Sequence, residues 1–486
     1  MRLSLFLVTA TLSLAAGAHA ELSWTPFVYS YTAADRTRVP VQGEQARLDV
    51  PEDHHQTAGP RLSLFLMRLP AKTKTPGPPI VYLHGGPGGA ALEHLESPEF
   101  RAVFDALRQK ADVILLDQRG CGLSRPSLVP TAADRFGTDS LATRSAFLDY
   151  LMELSRNVRK RLLESGHDPR HFTILESAED IESLRVALGA SKIDLFAHSY
   201  GTQLAQAYLR AHPAAAGRLI LAGSRGMDTS RKLPSEADTA LSDIADLARR
   251  DATVGAAFPD LLATMDRVLA KVDRSPIAVP IEDETKSVKT YLVGGYALRF
   301  IIAKFYLHDP DNTRYLPKLL DEIDTGRRPW SLTFNVLQML RSPVSLTWFT
   351  TDAASGVTAL RAGRITAEAG TSRLGDSPNF PFPDINTAWE MKDLGDAFRA
   401  SVTSNIPTLF LVGSRDGITP VAQTREVMKG FPNAQLLVVE NAGHISMLRA
   451  PEVAAAMAGF LGGAAVPATA RIEPVPFVPL VTAKAR

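Results

Sequence analysis

The chain has 486 residues, 45% of them hydrophobic and 22% charged, which is ordinary globular composition. Its 53 Lys and Arg balance 52 Asp and Glu, so there is no basic footprint for a nucleic-acid partner. A single cysteine, Cys121, rules out an intramolecular disulfide and leaves the fold to its core, for which the chain is long enough.

In chain order, Arg2, the apolar run Leu3 to Leu14 and the small-x-small pattern Ala18-His19-Ala20 predict a secretory signal over residues 1–20. Cleavage after Ala20 implies a periplasmic or secreted protein. The apolar run is shorter than the ~20 residues a membrane span needs, and no later stretch is apolar enough, so no membrane association is expected after cleavage. The pair His54-His55, in the polar turn "PEDHHQTAG", is expected at the surface. "RLSLFLMRLP" (Arg61 to Pro70) alternates like an early antiparallel strand. Buried strands are predicted at "PIVYLHGG" (Pro79 to Gly86), "DVILLDQRG" (Asp112 to Gly120), "IDLFAHS" (Ile193 to Ser199), "RLILAGS" (Arg218 to Ser224), "PTLFLVGS" (Pro407 to Ser414) and "AQLLVVENA" (Ala434 to Ala442).

Helical patterns separate these strands. The basic run Arg156 to Arg161 reads as a solvated helix face. Ser177 to Ala190 has helical spacing and a Gly189 stop, and Pro451 to Gly463 starts on Pro and ends on Gly. The alternation predicts an α/β fold with a mostly parallel central sheet flanked by helices. It fails from Arg225 to Ser404, a stretch too long for a loop. The expected layout is therefore a first core segment over 21–224, an inserted, mainly helical cap over 225–404, a second core segment over 405–463 and an extended tail over 464–486.

The chemistry concentrates at "AHSYG", Ala197 to Gly201, where a strand stops at a serine and a helix starts at once. Such an elbow strains its turn residue and needs small neighbours two positions away; here Ala stands where G-x-S-x-G has its first Gly. Ser199 is the candidate nucleophile, and it needs a base. His444, in a Gly-containing loop after the last strand, is the candidate base. His198 adjoins the elbow and points away from it. Asp416, after the preceding strand, is the candidate orienting acid, with Asp228 as runner-up; the order Ser, Asp, His is the one this type of elbow carries. The Tyr200 amide, at a helix N-terminus, and the Gly86 amide, in the loop "HGGPGG", are the candidate oxyanion donors. His84 is expected to shape that loop. No G-x-G-x-x-G, GK[ST] or H-E-x-x-H pattern occurs, so neither a cofactor nor a metal is read.

"HGGPGG", "LLDQRGCGLSRP", "HSYGTQLAQAYLRAHP", "GSRDGITPV" and "ENAGH" together make the chain resemble the proline iminopeptidase and tripeptidyl aminopeptidase family of α/β-hydrolase serine peptidases. The likeness spans about Leu48 to Ser224 and Ile406 to Gly463. It implies an aminopeptidase that releases N-terminal residues or short peptides and holds the substrate's amine on cap acids. Glu236, Asp243, Asp246, Asp352 and Glu368 are the candidates. In the "LLDQRGCGLSRP" loop, Asp117, Arg119 and Ser124 read as structural, an Asp–Arg pair holding the shape, and Cys121 as a free thiol without a catalytic part. The same machinery would also serve an esterase or lactonase on a small ester substrate.

Overall fold

The computed structural model describes residues 22–480 apart from 34, 57, 132–133, 283–285 and 342–344. The expected signal at 1–20 and the last residues of the tail lie outside the described residues.

Short aliphatic runs bounded by Gly and Pro form most of one ten-stranded sheet. Its strands in chain order are β1 (Thr25–Thr32), β2 (Arg38–Pro51), β3 (Arg61–Leu69), β4 (Ile80–Leu83), β5 (Val113–Asp117), β6 (Ile193–His198) and β7 (Ala216–Ala222). A separate two-stranded hairpin follows, β8 (Ile277–Glu282) with β9 (Val288–Val293), and β10 (Thr408–Gly413), β11 (Ala434–Glu440) and β12 (Thr469–Arg471) complete the main sheet. The spatial order is β1-β2-β3-β5-β4-β6-β7-β10-β11-β12. The first four of these pair antiparallel, and every neighbour from β5 onward is parallel.

From β4 the chain runs first to β5 on one side and later to β6 on the other. The carboxyl ends of β4 and β6 therefore flank the switch point where parallel sheets place their ligands. The central strands are apolar on both sides because both faces are covered. Val81, Leu83, Leu195 and Ala197 face one layer, with α3 (Ile174–Ala187) and α4 (Tyr200–Ala211). Ile80, Tyr82 and Phe196 face the other, with α1 (Pro98–Leu107) and the closing helix Pro451–Leu461.

Between β7 and β10 the chain makes helices Pro234–Arg250, Leu261–Arg274, Leu316–Asp324, Trp330–Arg341 and Ala359–Ala369 together with shorter turns and the β8–β9 hairpin. Their apolar faces, including Leu298, Leu319, Phe380 and Trp389, continue the same buried cluster as the α3–α4 side of the sheet.

Several expectations need correction. The β1–β2 hairpin went unread because its residues alternate between exposed and half-buried, with only Ala46, Leu48 and Val50 buried, and no long apolar run marks it. The helix expected from Ser177 starts at Ile174, because the Thr173 hydroxyl accepts from the Glu176 amide and caps it there. His54 is no surface group; it is half-buried, with Nε2 3.0 Å from Asp180 Oδ1. The basic run sits in α2 (Arg144–Glu164), with Arg156 and Lys160 exposed, as expected of a solvated face.

Candidate active site

Ser199 joins β6 directly to α4 with φ 57° and ψ −126°, a conformation that costs a non-glycine residue about 1–3 kcal/mol. Local bonds impose it. The Ser199 amide donates to Ala222 O at 2.9 Å, and the Thr202 amide and hydroxyl donate to Ser199 O at 2.9 and 2.6 Å. Space is as tight as the elbow demands. A Cβ on Gly201 would collide with the Leu83 carbonyl, and one on Gly85 would stand 2.6 Å from Ser199 Cβ. Ala197, fully buried between Leu83 and Leu221, fits without displacing either strand.

The loop after β4 therefore rests on the elbow. Gly86, the next residue, is exposed and has φ 114°, a backbone geometry that glycine adopts freely. His84 shapes this loop as expected: its Nδ1 donates to Gly85 O at 2.9 Å, and Gln118 Nε2 donates to His84 O at 3.0 Å. A Cβ on Gly88 would lie 2.6 Å from Ser345 O and 3.5 Å from the Trp348 amide, so the insertion closes against the loop's far side.

His444 and Asp416 come together from the loops after β11 and β10. The imidazole Nδ1 lies 2.7 Å from Asp416 Oδ2, and both side chains are buried. Asp416 Oδ2 also accepts from the Thr419 hydroxyl at 2.7 Å, and Oδ1 accepts from the amides of Ile418 and Thr419 at 2.8 and 2.9 Å. Burial alone would raise its pKa; His444 and the Thr419 hydrogen bonds outweigh that and hold it below the ordinary carboxylate value. Neither His444 Nε2 nor the Ser199 hydroxyl has a hydrogen-bond partner among the described residues. His198 is buried, and its Nε2 donates to His444 O at 3.0 Å, so it fastens the His444 backbone.

Two groups escaped the sequence reading. His308 O accepts from the His444 amide at 3.0 Å, and the His308 ring stands edge-on to His444 at 4.7 Å. Asp309 Oδ2 accepts from the amides of Ile445 and Ser446 at 3.1 and 2.8 Å. Both lie in the insertion, and the only local signal was Asp309-Pro310, a helix-cap pattern.

Asp228 accepts from the Thr358 amide and hydroxyl at 2.7 and 2.8 Å and so braces the residue that caps helix Ala359–Ala369, with no hydrogen bond to His444. The expected Asp117–Arg119 pair does not form. Arg119 is buried and binds Asp180 through two nitrogens at 2.8 and 2.7 Å, while Asp117 accepts from the amides of Ala91 and Leu123 at 2.7 and 2.8 Å. The Ser124 hydroxyl donates to Asp117 O at 2.6 Å. The reason is reach: Asp117 turns under its own loop, whereas Arg119 points to α3. Cys121 is a buried free thiol whose pKa burial pushes up to about 12.

Of the five amine-site candidates, Glu236 accepts from the Leu233 amide, Asp246 pairs with Arg249 and Asp243 is exposed. Asp352 is buried against Arg225 at 2.5 Å and Trp348 Nε1 at 3.0 Å, and Glu368 accepts from the Ser235 amide and pairs with Arg364. Away from this site, Asp53, His171 and Glu176 bring donor atoms within 4.8 Å of one another, though Glu176 already faces Arg119 at 3.9 Å. No described helix is long and apolar enough to cross a membrane.

Comparison with known proteins adds the family. The chain is 32% identical over 149 residues to a proline iminopeptidase of Neisseria meningitidis, covering 30% of this chain and 33% of that one. It is 25% identical over 209 residues to the serine protease Hip1 of Mycobacterium tuberculosis, covering 42% of this chain and 39% of the relative. The matches thus span only about a third to two-fifths of the relatives' own length. Among solved structures, the proline iminopeptidase of Mycobacterium smegmatis is similar at 17% identity and a TM-score of 0.42, over 86% of this chain and 98% of that one. An esterase from Thermogutta terrifontis matches at 17% identity and a TM-score of 0.39, with the same coverage. The family described as alpha/beta hydrolase fold matches residues 78–451, and on that match, over most of its length, the chain belongs to the alpha/beta hydrolases.

Proposed function

We propose that this protein is a serine hydrolase that works through an acyl-enzyme, with Ser199 as nucleophile, His444 as base and Asp416 as the acid that orients it. One observation carries the reading: a strained serine abuts a glycine loop, while a buried carboxylate holds the Nδ1 side of an imidazole whose Nε2 is free. Asp416 fixes the tautomer with the proton on Nδ1, so Nε2 can take the Ser199 proton as Oγ attacks a carbonyl carbon. The amides of Gly86 and Tyr200 receive the charge that develops on the carbonyl oxygen. His444 then passes its proton to the leaving group, and water, activated the same way, releases the acyl group from Ser199.

For the substrate we propose a peptide bond near a free N-terminus, in an exported enzyme. The support is the motif likeness and the similarity to a proline iminopeptidase and a serine protease. A second reading, an esterase or lactonase, gains from the pairing or exposure of all five candidate amine-binding acids. Fluorophosphonate treatment followed by mass spectrometry should put the label on Ser199, and Ser199→Ala should lose about 10⁶ in turnover. Label elsewhere, or an active alanine variant, overturns the mechanism. Free and acetylated aminoacyl anilides separate the substrate readings: an amine-binding site penalises the acetylated form by about 10² to 10⁴, and an esterase does not.

A further inference from the structure

The two proposed oxyanion donors sit on different pieces of chain, the Gly86 amide on the loop after β4 and the Tyr200 amide at the start of α4. One carboxylate of the insertion reaches both pieces. Asp352 lies in the helix Thr347–Ser355 and is 2% exposed. Its Oδ1 accepts from Arg225 Nη2 at 2.5 Å, and its Oδ2 accepts from Trp348 Nε1 at 3.0 Å.

Through Arg225 the carboxylate reaches the elbow. Arg225 is 8% exposed, and its guanidinium carbon stands 5.7 Å from the centre of the Tyr200 ring. The Arg225 amide donates to the Thr202 hydroxyl at 2.8 Å, and that hydroxyl donates to Ser199 O at 2.6 Å. Gln206 Nε2 donates to Arg225 O at 2.8 Å and to Thr202 O at 2.9 Å, so the Arg225 backbone is fixed to α4. Through Trp348 the same carboxylate reaches the glycine loop. Trp348 belongs to the first turn of the Asp352 helix, and Gly88 packs on that turn against Ser345 O and the Trp348 amide. The Ser345 hydroxyl donates to Gly120 O at 2.8 Å and pins the turn to the core.

Among the described residues Asp352 is the only hydrogen-bond acceptor of the Arg225 guanidinium, whose Nε is buried without a partner. Removing the carboxylate therefore strands a buried cation and frees the indole N–H, and the elbow and the loop lose their shared fixed point. A buried ion pair is weak as a source of stability, because desolvation offsets the attraction, but its charge-assisted hydrogen bonds are directional. We propose that Asp352 is a positioning residue: with Arg225 and Trp348 it sets the spacing of the Gly86 and Tyr200 amides, so that docking of the insertion completes the oxyanion site. The proposal rests on the serine-hydrolase reading, in which those two amides receive the developing charge. It gives Asp352 a part other than binding a substrate amine.

The test compares p-nitrophenyl butyrate with the thionoester in which sulfur replaces its carbonyl oxygen. Both are activated enough to report attack by Ser199 whichever substrate class the enzyme prefers, but the sulfur is a poor hydrogen-bond acceptor and draws little from an oxyanion site. In Asp352→Asn and Trp348→Phe, kcat/KM for the oxygen ester should fall about tenfold or more. The thionoester should fall much less, so the oxygen-to-sulfur ratio drops. A merely structural loss of folded protein would lower both equally and leave the ratio alone. Arg225→Met/Asp352→Leu replaces the pair by apolar groups of similar size; it should nearly keep the denaturation midpoint and still show the lowered ratio. Asp273→Asn, which breaks an ion pair with Arg299 elsewhere in the insertion, should leave the ratio unchanged. Fluorophosphonate labelling of the wild type reads the nucleophile on its own. With Ser199 labelled, an unchanged ratio in Asp352→Asn and in the apolar double variant would overturn the positioning role and leave the mechanism standing. An equal drop in Asp273→Asn would overturn it as well, and an unlabelled Ser199 would overturn both readings.

Discussion

At the scale of single residues, the proposed base is made by its surroundings. Asp416 takes four hydrogen bonds, and its depressed pKa keeps it ionised through the neutral range. Asp416→Asn should keep the fold and lose about 10⁴-fold in kcat, because the amide favours the wrong imidazole tautomer. Asp228→Asn should stay near wild type in rate, since it only frays the Ala359 helix; the reverse result would reassign the acid. Cys121, with its thiol pushed up to about 12 in a buried site, should resist iodoacetamide in the folded protein at pH 8, and Cys121→Ser should retain most activity. Rapid labelling would contradict that burial. The positions of Ser199, Asp416 and His444 just after strands were legible because strand ends can be read from apolar runs. Asp309 and His308 were not, because their partners lie more than a hundred residues further along the chain.

Elements show the same division. β4, β5 and β10 are buried on both faces and read as hydrophobic runs, while β6, β7 and β11 keep an apolar stretch interrupted or flanked by polar residues such as Asp194, Arg218 and Gln435. The β8–β9 hairpin has exposed residues along both strands and hides among helical text. The turn from Ile302 through Pro310 matters most functionally, since it clamps the His444 loop by a backbone bond and by the Asp309 carboxylate. Asp309→Ala leaves the Ile445 and Ser446 amides unpaired, at about 1–3 kcal/mol for a buried donor. The expected outcome is a drop of about tenfold or more in kcat with KM little changed, and a lower denaturation midpoint. Unaltered kcat would mean that the loop holds its own shape.

For the molecule as a whole, acid is the expected weakness. Four other imidazoles gather in the layers around His444. Burial lowers His84 to about 4 and His198 to about 3, and puts His94 and His308 well below the usual value near 6.5. Their folded pKa values are depressed, so below pH 6.5 the unfolded chain binds more protons. Stability is then complete above about pH 6.5 and drains away as pH falls toward 4 and 3. For fully buried His198 the slope is at most about 1.4 kcal/mol per pH unit. Urea midpoints at pH 7.5 and 5 should differ markedly, and His198→Gln should narrow the gap; a flat profile would show these rings titrating freely.

The pairing of β7 with β10 across the whole insertion has a consequence in time. Ser199 leaves the ribosome early, on β6. Its proposed base and acid leave only after the insertion has been synthesised, on the loops that follow β10 and β11. A growing chain therefore carries a strained serine with nothing to activate it. On the proposed mechanism, activation of Ser199 waits until the last parallel strands dock and bring Asp416 and His444 with them.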